Sequence, residues 1–261
     1  MFKKIKKLLL IVFIVFLLVF SSLLLWVSTN YSVPIIMYHN VGVGDKYENI
    51  WVTVDNFEKQ LNFLKGHKYN VISLDKLIDM MNKDKSIPRN TVVLTFDDGE
   101  VNNFENAFPI LKRHGLTATF FVPPAKIGKT GRLSVDQLRT MHEGGMEIGS
   151  HGNNEAYLPD LSESEQRNEI FKSKEILEKM LGAKVNHISY PVGGFSEEIK
   201  TIVKEAGYTS ASTTNRGTDY SNKDVYELKR IRLSNKDNSD FLLRVKFSGY
   251  YNVFRKGKNS K

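Results

Sequence analysis

The sequence predicts an α/β domain built from parallel βαβ units, as a barrel or a doubly wound sheet, preceded by one N-terminal transmembrane helix. Three observations carry this prediction. The N-terminus holds a long apolar run, amphipathic stretches alternate with apolar β-branched stretches along the rest of the chain, and glycine stands between each helix and the next strand. Helices that alternate with continuously apolar strands are typical of parallel sheets covered on both faces.

The N-terminal segment combines a basic stretch, residues 1–7, with an apolar run, residues 8–27, interrupted only by Ser21 and Ser22. A run of about 20 apolar residues is long enough to cross a bilayer as a helix. It contains no alanine, whereas a signal peptide usually ends in a small-residue cleavage site, so we expect an uncleaved signal anchor. Cleavage would instead release a secreted form. The positive-inside bias keeps residues 1–7 in the cytoplasm and places residues 28–261 outside a cell membrane that the chain crosses once.

Composition excludes several classes of function. The chain has no cysteine, so a metal must be held by histidine, carboxylate, carbonyl or water, and no cysteine nucleophile is available. The formal net charge is +8, and half of it comes from the lysines of the N-terminal segment. The remaining charge is too small to indicate a nucleic-acid partner, although it suits an anionic cell envelope. No protein partner is implied.

Strands and helices are predicted in a repeating order after the anchor. A buried strand, residues 33–38, ends before His39, and a second apolar strand, Thr91–Phe96, lies near the middle of the chain. The long charged helix Glu163–Leu181 is expected to be a solvated outer helix. Four helix–glycine–strand units are expected, each with a left-handed glycine cap. They comprise residues 56–64, Gly66 and 70–73; 106–112, Gly115 and 117–122; 135–141, Gly144 with Gly145 and 146–149; Glu197–Glu205, Gly207 and 209–213.

The strongest chemical signal follows the strand Thr91–Phe96, which delivers Asp97 and Asp98 directly before Gly99. Two adjacent carboxylates are costly to bring together without a cation or a shared proton. Successive residues leaving a strand point in different directions, so one carboxylate can bind a metal while the other faces substrate.

Two other predicted strands end in polar or turn-forming residues. Residues 146–150 lead into His151, and residues 187–190 lead into Pro191. In a parallel α/β fold the reactive groups gather at the C-terminal ends of the strands, so these three loops should meet at one rim.

These motifs resemble a known family. Thr95-Phe96-Asp97-Asp98-Gly99, Gly149-Ser150-His151 and Tyr190-Pro191-Val192-Gly193 resemble the successive motifs of the polysaccharide deacetylase family, carbohydrate esterase family 4 with its NodB-type domain. The resemblance extends over residues 33–233. It implies a distorted (β/α) barrel of the NodB type that removes acetyl groups from N-acetylated sugars of a polymer with a divalent metal, zinc first and cobalt or nickel as alternatives.

The resemblance also implies roles for individual residues. Asp97 would be the general base for the attacking water, with Asp98 and His151 as metal ligands. The backbone N–H of Val192 would help to stabilise the tetrahedral oxyanion. Tyr190 and Pro191, in the same motif, are candidate substrate contacts.

The sequence departs from the family pattern at the metal site. The second metal histidine of the family follows the first by four positions, and Glu155 stands there. Glutamate is a competent zinc ligand, but its added charge would make the ion a weaker Lewis acid. Either the triad Asp98, His151 and Glu155 works with an altered metal preference, or metal binding is reduced or lost.

Two further departures concern proton transfer. No histidine follows His187, so the late histidine that serves the family as general acid is missing, and His39 is the candidate to replace it. The arginine that the family places two residues before the motif proline is replaced by Ser189. Arg230 is the candidate to orient Asp97, although it also fits an ordinary surface arginine beside a strand.

Three functions remain open from the sequence. The first is a hydrolase that removes N-acetyl groups from an N-acetylglucosamine-containing polysaccharide, either exopolysaccharide or peptidoglycan. The second is a catalytically degenerate, membrane-anchored glycan-binding protein on the same fold. The third is a small-molecule amide hydrolase, which a membrane tether does not favour, because a soluble substrate gives no reason for tethering.

Overall fold

An N-terminal helix, α1 (Phe2–Thr29), precedes the folded domain in the computed structural model, which describes residues 2–44, 49–83, 85–255 and 257. The predicted apolar run lies inside this helix. An 18-residue window within Ile5–Thr29 has a mean hydropathy of 3.3, and none of that window is buried against the rest of the described chain. It is therefore long and apolar enough to cross a membrane, a property that signal sequences share.

A nine-stranded parallel sheet forms the centre of the domain. Eight strands follow the order β10-β9-β8-β7-β6-β5-β1-β11, and β4 pairs with β5 beside them. With helices outside it, this nearly closed sheet is the predicted (β/α) barrel. The strands are β1 (Ile35–Tyr38), β4 (Asn70–Ile72), β5 (Thr91–Phe96), β6 (Thr119–Val122), β7 (Glu147–Ser150), β8 (His187–Ser189), β9 (Ser210–Thr213), β10 (Leu228–Lys229) and β11 (Ile231–Arg232), while β2 (Asn40–Val41) and β3 (Trp51–Val52) form a separate parallel pair.

One extended segment joins the two ends of the sheet. β10 pairs with β9 at one end, β11 pairs with β1 at the other, and only Arg230 stands between β10 and β11. The Arg230 N–H donates to the carbonyl oxygen of Thr214 at 3.0 Å, which continues the ladder through the junction. Arg230 therefore marks the seam at which the barrel closes.

Aromatic rings hold the C-terminal ends of the central strands at one level. Tyr38 is in register with Phe96, and Phe96 with Phe120, on three neighbouring strands. The Phe96 ring stacks on those of Tyr38 and Phe120, with centroids 5.1 and 4.6 Å apart. Stacked rings of this kind contribute about 0.5–1.5 kcal/mol per pair beyond their buried area. The backbone positions of the next residues, His39 and Asp97, are consequently fixed by these stacked rings.

Eight further helices surround or flank the sheet in the described chain. α6 (Glu163–Leu181) and α7 (Glu197–Glu205) have the predicted bounds. The N-terminus of α6 is capped by the Glu165 carboxylate, which accepts the Ser162 N–H at 2.9 Å. The others are α2 (Val54–Gly66), α3 (Leu74–Asn82), α4 (Phe108–His114), α5 (Val135–Glu143), α8 (Asp240–Lys246) and α9 (Tyr251–Phe254).

The predicted glycine caps hold at three of four helix ends. Gly115, Gly145 and Gly207 have φ of +66°, +88° and +79°. The prediction for Gly66 is wrong, because α2 continues through that residue and the left-handed turn falls at Lys68, with φ of +56°. The left-handed turn lies two residues after Gly66, because the C-cap of the helix is His67.

Candidate active site

Asp97 and Asp98 leave the end of β5 in a tight turn. Asp98 and Gly99 both have left-handed backbones, with φ of +73° and +64°. A Cβ atom at Gly99 would lie 2.9 Å from the Cγ1 atom of Val122, so the turn passes too close to β6 for any side chain. The turn directs the two carboxylates to different partners.

The carboxylate of Asp97 is buried against Arg230, which is itself fully buried. The guanidinium donates from Nη1 to Oδ1 at 2.6 Å and from Nη2 to Oδ2 at 2.7 Å, a bidentate pair. Burial acts to raise the pKa of Asp97, but the charge of Arg230, helped by His151, outweighs it and holds this pKa below its ordinary value. Asp97 is therefore a fixed, ionised carboxylate at neutral pH.

The orientation of Arg230 is set by three strands. Its Nε donates to the Thr213 carbonyl at 3.0 Å, Nη2 to the Ser189 hydroxyl at 2.7 Å, and Nη1 to the Thr95 hydroxyl at 3.2 Å. Ser189 is the position at which the family resemblance expects an arginine. Arg230, at the barrel seam, thus places its guanidinium against Ser189, the position where the family pattern has an arginine.

Asp98 faces His151 across the rim. The Nε2 atom of His151 lies 3.4 Å from Oδ1 of Asp98, and its Nδ1 lies 2.8 Å from the Ser189 carbonyl oxygen. A carbonyl only accepts, so Nδ1 carries a proton, and Nε2 carries a second one when the ring is charged and donates to the Asp98 carboxylate. Burial acts to raise the pKa of Asp98, but the hydrogen bond and charge of His151 lower it well below its usual range.

Glu155 does not join Asp98 and His151 in a preformed triad. Its Oε2 atom pairs with the Nζ atom of Lys126 at 2.6 Å, and both side chains are partly exposed. Glu155 has a left-handed backbone with φ of +64°, an unusual conformation for a residue with a side chain. Lys126 comes from the short turn after β6, which is tied to the His151 loop because Ala125 donates to the Asn153 carbonyl at 3.0 Å.

A different cluster meets the distance criterion for a metal site. Among the described residues, one group of three acidic or histidine side chains has ligand atoms all within 4.8 Å, namely Asp75, Glu147 and His187. It lies at the N-terminal ends of β7 and β8, at the opposite end of the barrel from Asp97.

The two carboxylates of this cluster already accept hydrogen bonds. The Glu147 carboxylate accepts the N–H groups of Leu74 and Asp75 at 2.9 and 3.1 Å and the Thr119 hydroxyl at 2.6 Å. His187 Nε2 lies 2.9 Å from Asp75. Because two of these donors are first-turn N–H groups of α3, the cluster caps that helix.

Two basic side chains of the rim keep unpartnered atoms. In the described part of the chain, Nδ1 of His39 and Nε of Arg232 are buried without a hydrogen-bond partner. Burial lowers the pKa of His39 despite the nearby charges of Asp97 and Asp98, so its ring is neutral at neutral pH. Sequence reasoning missed Arg232; the available signal was its place two residues after Arg230, on the same side of an extended segment.

The third motif separates exposed from buried residues. Val192 has a left-handed backbone with φ of +55°, a strained conformation for a β-branched residue, and its side chain is 62% exposed. Tyr190 and Pro191, by contrast, are buried, and the Tyr190 hydroxyl donates to the Tyr226 carbonyl at 3.1 Å, so both lie in the core rather than on a substrate surface.

Sequence comparison finds the same family over the centre of the chain. A profile described as polysaccharide deacetylase matches residues 84–211. A putative polysaccharide deacetylase of Bacillus subtilis, YxkH, is 31% identical over 211 residues, which cover 80% of this chain and 75% of that protein. A poly-β-1,6-N-acetyl-D-glucosamine N-deacetylase of Staphylococcus epidermidis is 30% identical over 203 residues, which cover 72% and 70%.

Structure comparison agrees. The Streptococcus pyogenes deacetylase PplD in complex with acetate superposes with a TM-score of 0.76 at 29% identity, over 82% of this chain and 97% of that one. IcaB from Ammonifex degensii superposes with a TM-score of 0.73 over 84% and 97% of the two chains, at 20% identity, which supports the fold alone.

Proposed function

Because the chain belongs to the polysaccharide deacetylase family, a family of hydrolases acting on non-peptide carbon–nitrogen bonds, we propose that it removes N-acetyl groups from an N-acetylglucosamine-containing polysaccharide outside the cell membrane. The observation that carries the proposal is the buried bidentate pair of Asp97 and Arg230. The next residue, Asp98, faces His151 at the same rim of the barrel. An exopolysaccharide of the poly-β-1,6 type is favoured over peptidoglycan, since the Staphylococcus epidermidis relative named for that polymer aligns over most of the domain.

The donor set at the rim fits a divalent metal such as zinc. His151 has its Nδ1–H tied to a carbonyl, which fixes the ring and leaves Nε2 for an ion, as in metal sites where a second contact orients the histidine. Asp98 supplies a carboxylate beside it, and Glu155 would be the third ligand. Such an ion would polarise the amide carbonyl and lower the pKa of the attacking water.

Lys126 compensates for the glutamate in this proposal. Asp98 and Glu155 bring two negative charges, and the ammonium of Lys126, 2.6 Å from Glu155, offsets one of them. The net charge of the set then equals that of one carboxylate with two neutral histidines, the pattern that the family resemblance implies. The ion would retain its Lewis acidity although a histidine is missing.

The proposed reaction uses four groups of the chain. Asp97, held ionised by Arg230, accepts a proton as the water oxygen bonds to the carbonyl carbon. The backbone N–H of Val192 donates to the oxyanion that develops. When the carbon–nitrogen bond breaks, the proton that Asp97 accepted passes to the leaving nitrogen, with the neutral ring of His39 as the candidate relay, and the amine and acetate are released.

Asp97→Asn tests the proposal directly. Acetate release from N-acetylglucosamine oligomers would be measured with the full chain in detergent, with zinc, cobalt or nickel added. Loss of a general base should lower the rate by about 10²–10⁴-fold. Asp136→Asn, at a side chain that is 95% exposed on α5, is the matched control and should keep the parent rate. An unchanged rate in Asp97→Asn would remove this residue as the base.

The Lys126–Glu155 pair also supports a second candidate, a glycan-binding protein without activity, because the pair withholds the third ligand. Metal content and oligosaccharide binding of the same preparation separate the two. Binding of oligomers with neither bound metal nor acetate release, and activity that appears in Glu155→His, would favour this candidate.

A further inference from the structure

Exposed apolar side chains form a patch on the last two helices. The patch, called here the C-terminal apolar patch, comprises Phe241, Leu242, Val245 and Phe254, which are 73%, 39%, 38% and 76% exposed. Phe241, Val245 and Phe254 border one shallow depression of about 730 Å³, so they share a continuous surface. Large apolar side chains grouped in this way on a soluble face indicate an interaction surface.

The patch is continuous with the end of α1. The Trp26 ring stacks on Tyr250 at 6.0 Å between centroids and lies 5.8 Å from the Phe254 ring. The Tyr250 hydroxyl also donates to the Val27 carbonyl at 3.0 Å. The last turn of the apolar helix is thereby fixed to the same surface that exposes Phe254.

The border of the patch has the composition of a membrane interface. Tyr31 packs edge-on against Tyr250 at 5.8 Å, and the Arg89 guanidinium lies 5.7 Å from the Tyr31 ring centre and donates to the Tyr250 hydroxyl at 3.1 Å. Tryptophan and tyrosine are enriched where a protein passes from lipid to water, and arginine there reaches the headgroups.

We propose that the C-terminal apolar patch inserts into the outer surface of the bilayer that α1 crosses, so that the domain is seated on lipid rather than swinging on a tether. The occupant is lipid because the patch continues the surface at which α1 ends. The catalytic rim stays outside the lipid, since α1 joins the barrel at the N-terminal end of β1 while Asp97 follows the C-terminal end of β5. The inference rests on the proposed anchor and is independent of the proposed catalysis.

Single cysteines give a clean test, because the chain has none of its own. Phe241→Cys and Phe254→Cys would be spin-labelled in the full chain in lipid nanodiscs, and collision with oxygen compared with collision with a water-soluble nickel complex. We expect both labels to favour oxygen, at depths of about 5–10 Å. Val43→Cys, at a 94% exposed position near the rim, and Phe171→Cys, on α6, are the controls and should favour nickel.

The outcomes separate the patch from the anchor. A label at Val15→Cys, inside α1, reports whether the helix lies in lipid. If that label favours oxygen while those at 241 and 254 match the Phe171 control, the patch is in water and the inference is overturned. If all three favour nickel, the anchor itself fails. Shielding of 241 and 254 from both reagents would place a second copy of the chain there and would also overturn the inference.

Discussion

At the residue scale, the site depends on how charge is paired. Asp97 is buried and would be protonated in an apolar pocket, yet the bidentate contact with Arg230 keeps it ionised. Arg230 is in turn held by acceptors on three strands. A base prepared in this way needs no reorganisation when substrate arrives.

Arg230→Met should show how the pair with Asp97 affects the stability of the fold and the pKa of Asp97. Leaving Asp97 buried without a counter-charge should lower the free energy of unfolding by about 3–5 kcal/mol at pH 7. The pKa of Asp97 should rise, so the acid limb of the rate profile should move to higher pH. Chemical denaturation and the pH dependence of acetate release measure both, with Arg139→Met, on the exposed side of α5, as control.

The sign of the pH effect on stability follows from the same shift. In the parent the folded pKa of Asp97 is lowered, so its stabilising contribution is complete above the unfolded value of about 3.9 and is lost as the pH falls through the folded value. In Arg230→Met the folded pKa is raised, and protonation in acid relieves the buried charge. The stability gap between parent and variant should therefore narrow on acidification, and a constant gap would contradict the assignment.

Lys126→Met tests charge compensation at the proposed metal site. Without the ammonium, the ligand set gains a negative charge, so zinc affinity should increase while deacetylation slows, because the ion becomes a weaker Lewis acid. Titration calorimetry would give the affinity, and Lys129→Met, at an exposed neighbour, is the control.

The dependence on Glu155 makes this prediction specific. In a Glu155→Gln background, Lys126→Met should no longer raise zinc affinity, since no glutamate is left to be released. Equal gains in both backgrounds would show that Lys126 repels the ion at a distance and has no role through Glu155.

At the element scale, sequence reasoning was most successful where pattern is local. The bounds of α6 and α7 were predicted from charge patterning, capping residues and terminal glycines, and the structure has them. β5 was predicted from the apolar, β-branched composition of its sequence, and all six of its residues are buried in the structure. The helices α3, α8 and α9 were missed, because none of them is followed by a glycine and then a strand, the pattern by which other helices were predicted.

The candidate site likewise has a part that the sequence could predict and a part that it could not. The order of motifs along the chain placed Asp97, Asp98 and His151 at one rim, as parallel strands require. No local pattern could show that Lys126 pairs with Glu155, that Tyr190 is core, or that Arg232 faces the rim, because each depends on contacts between loops of different strands.

Glu147→Gln tests whether the cluster of Asp75, Glu147 and His187, at the N-terminal ends of β7 and β8, is a helix cap or a metal site. The variant loses a charged acceptor for two N–H groups of α3, so unfolding should become easier by about 1–2 kcal/mol. Glu143→Gln, near the exposed end of α5, is the control. The loss should be the same with and without a chelator; a loss that a chelator abolishes would assign the cluster to a metal.

At the scale of the whole molecule, α1 and the barrel form one continuous body through the contacts of Trp26 and Tyr250. We expect the chain to remain in membranes after alkaline carbonate washing, to require detergent for extraction, and to retain residues 1–29 by mass spectrometry of the extracted protein. Recovery of a shortened, soluble chain would instead identify the segment as a cleaved signal.

The seam at Arg230 determines when the barrel can close during synthesis of the chain. During synthesis β5 is complete well before residue 230 is added, so the barrel is still open and Asp97 lacks its guanidinium partner. In the proposed mechanism the carboxylate can act as the base only after the segment 228–232 has closed the sheet. In the proposed mechanism a chain that ends before residue 228 therefore lacks the partner of its base, so we expect it to be inactive.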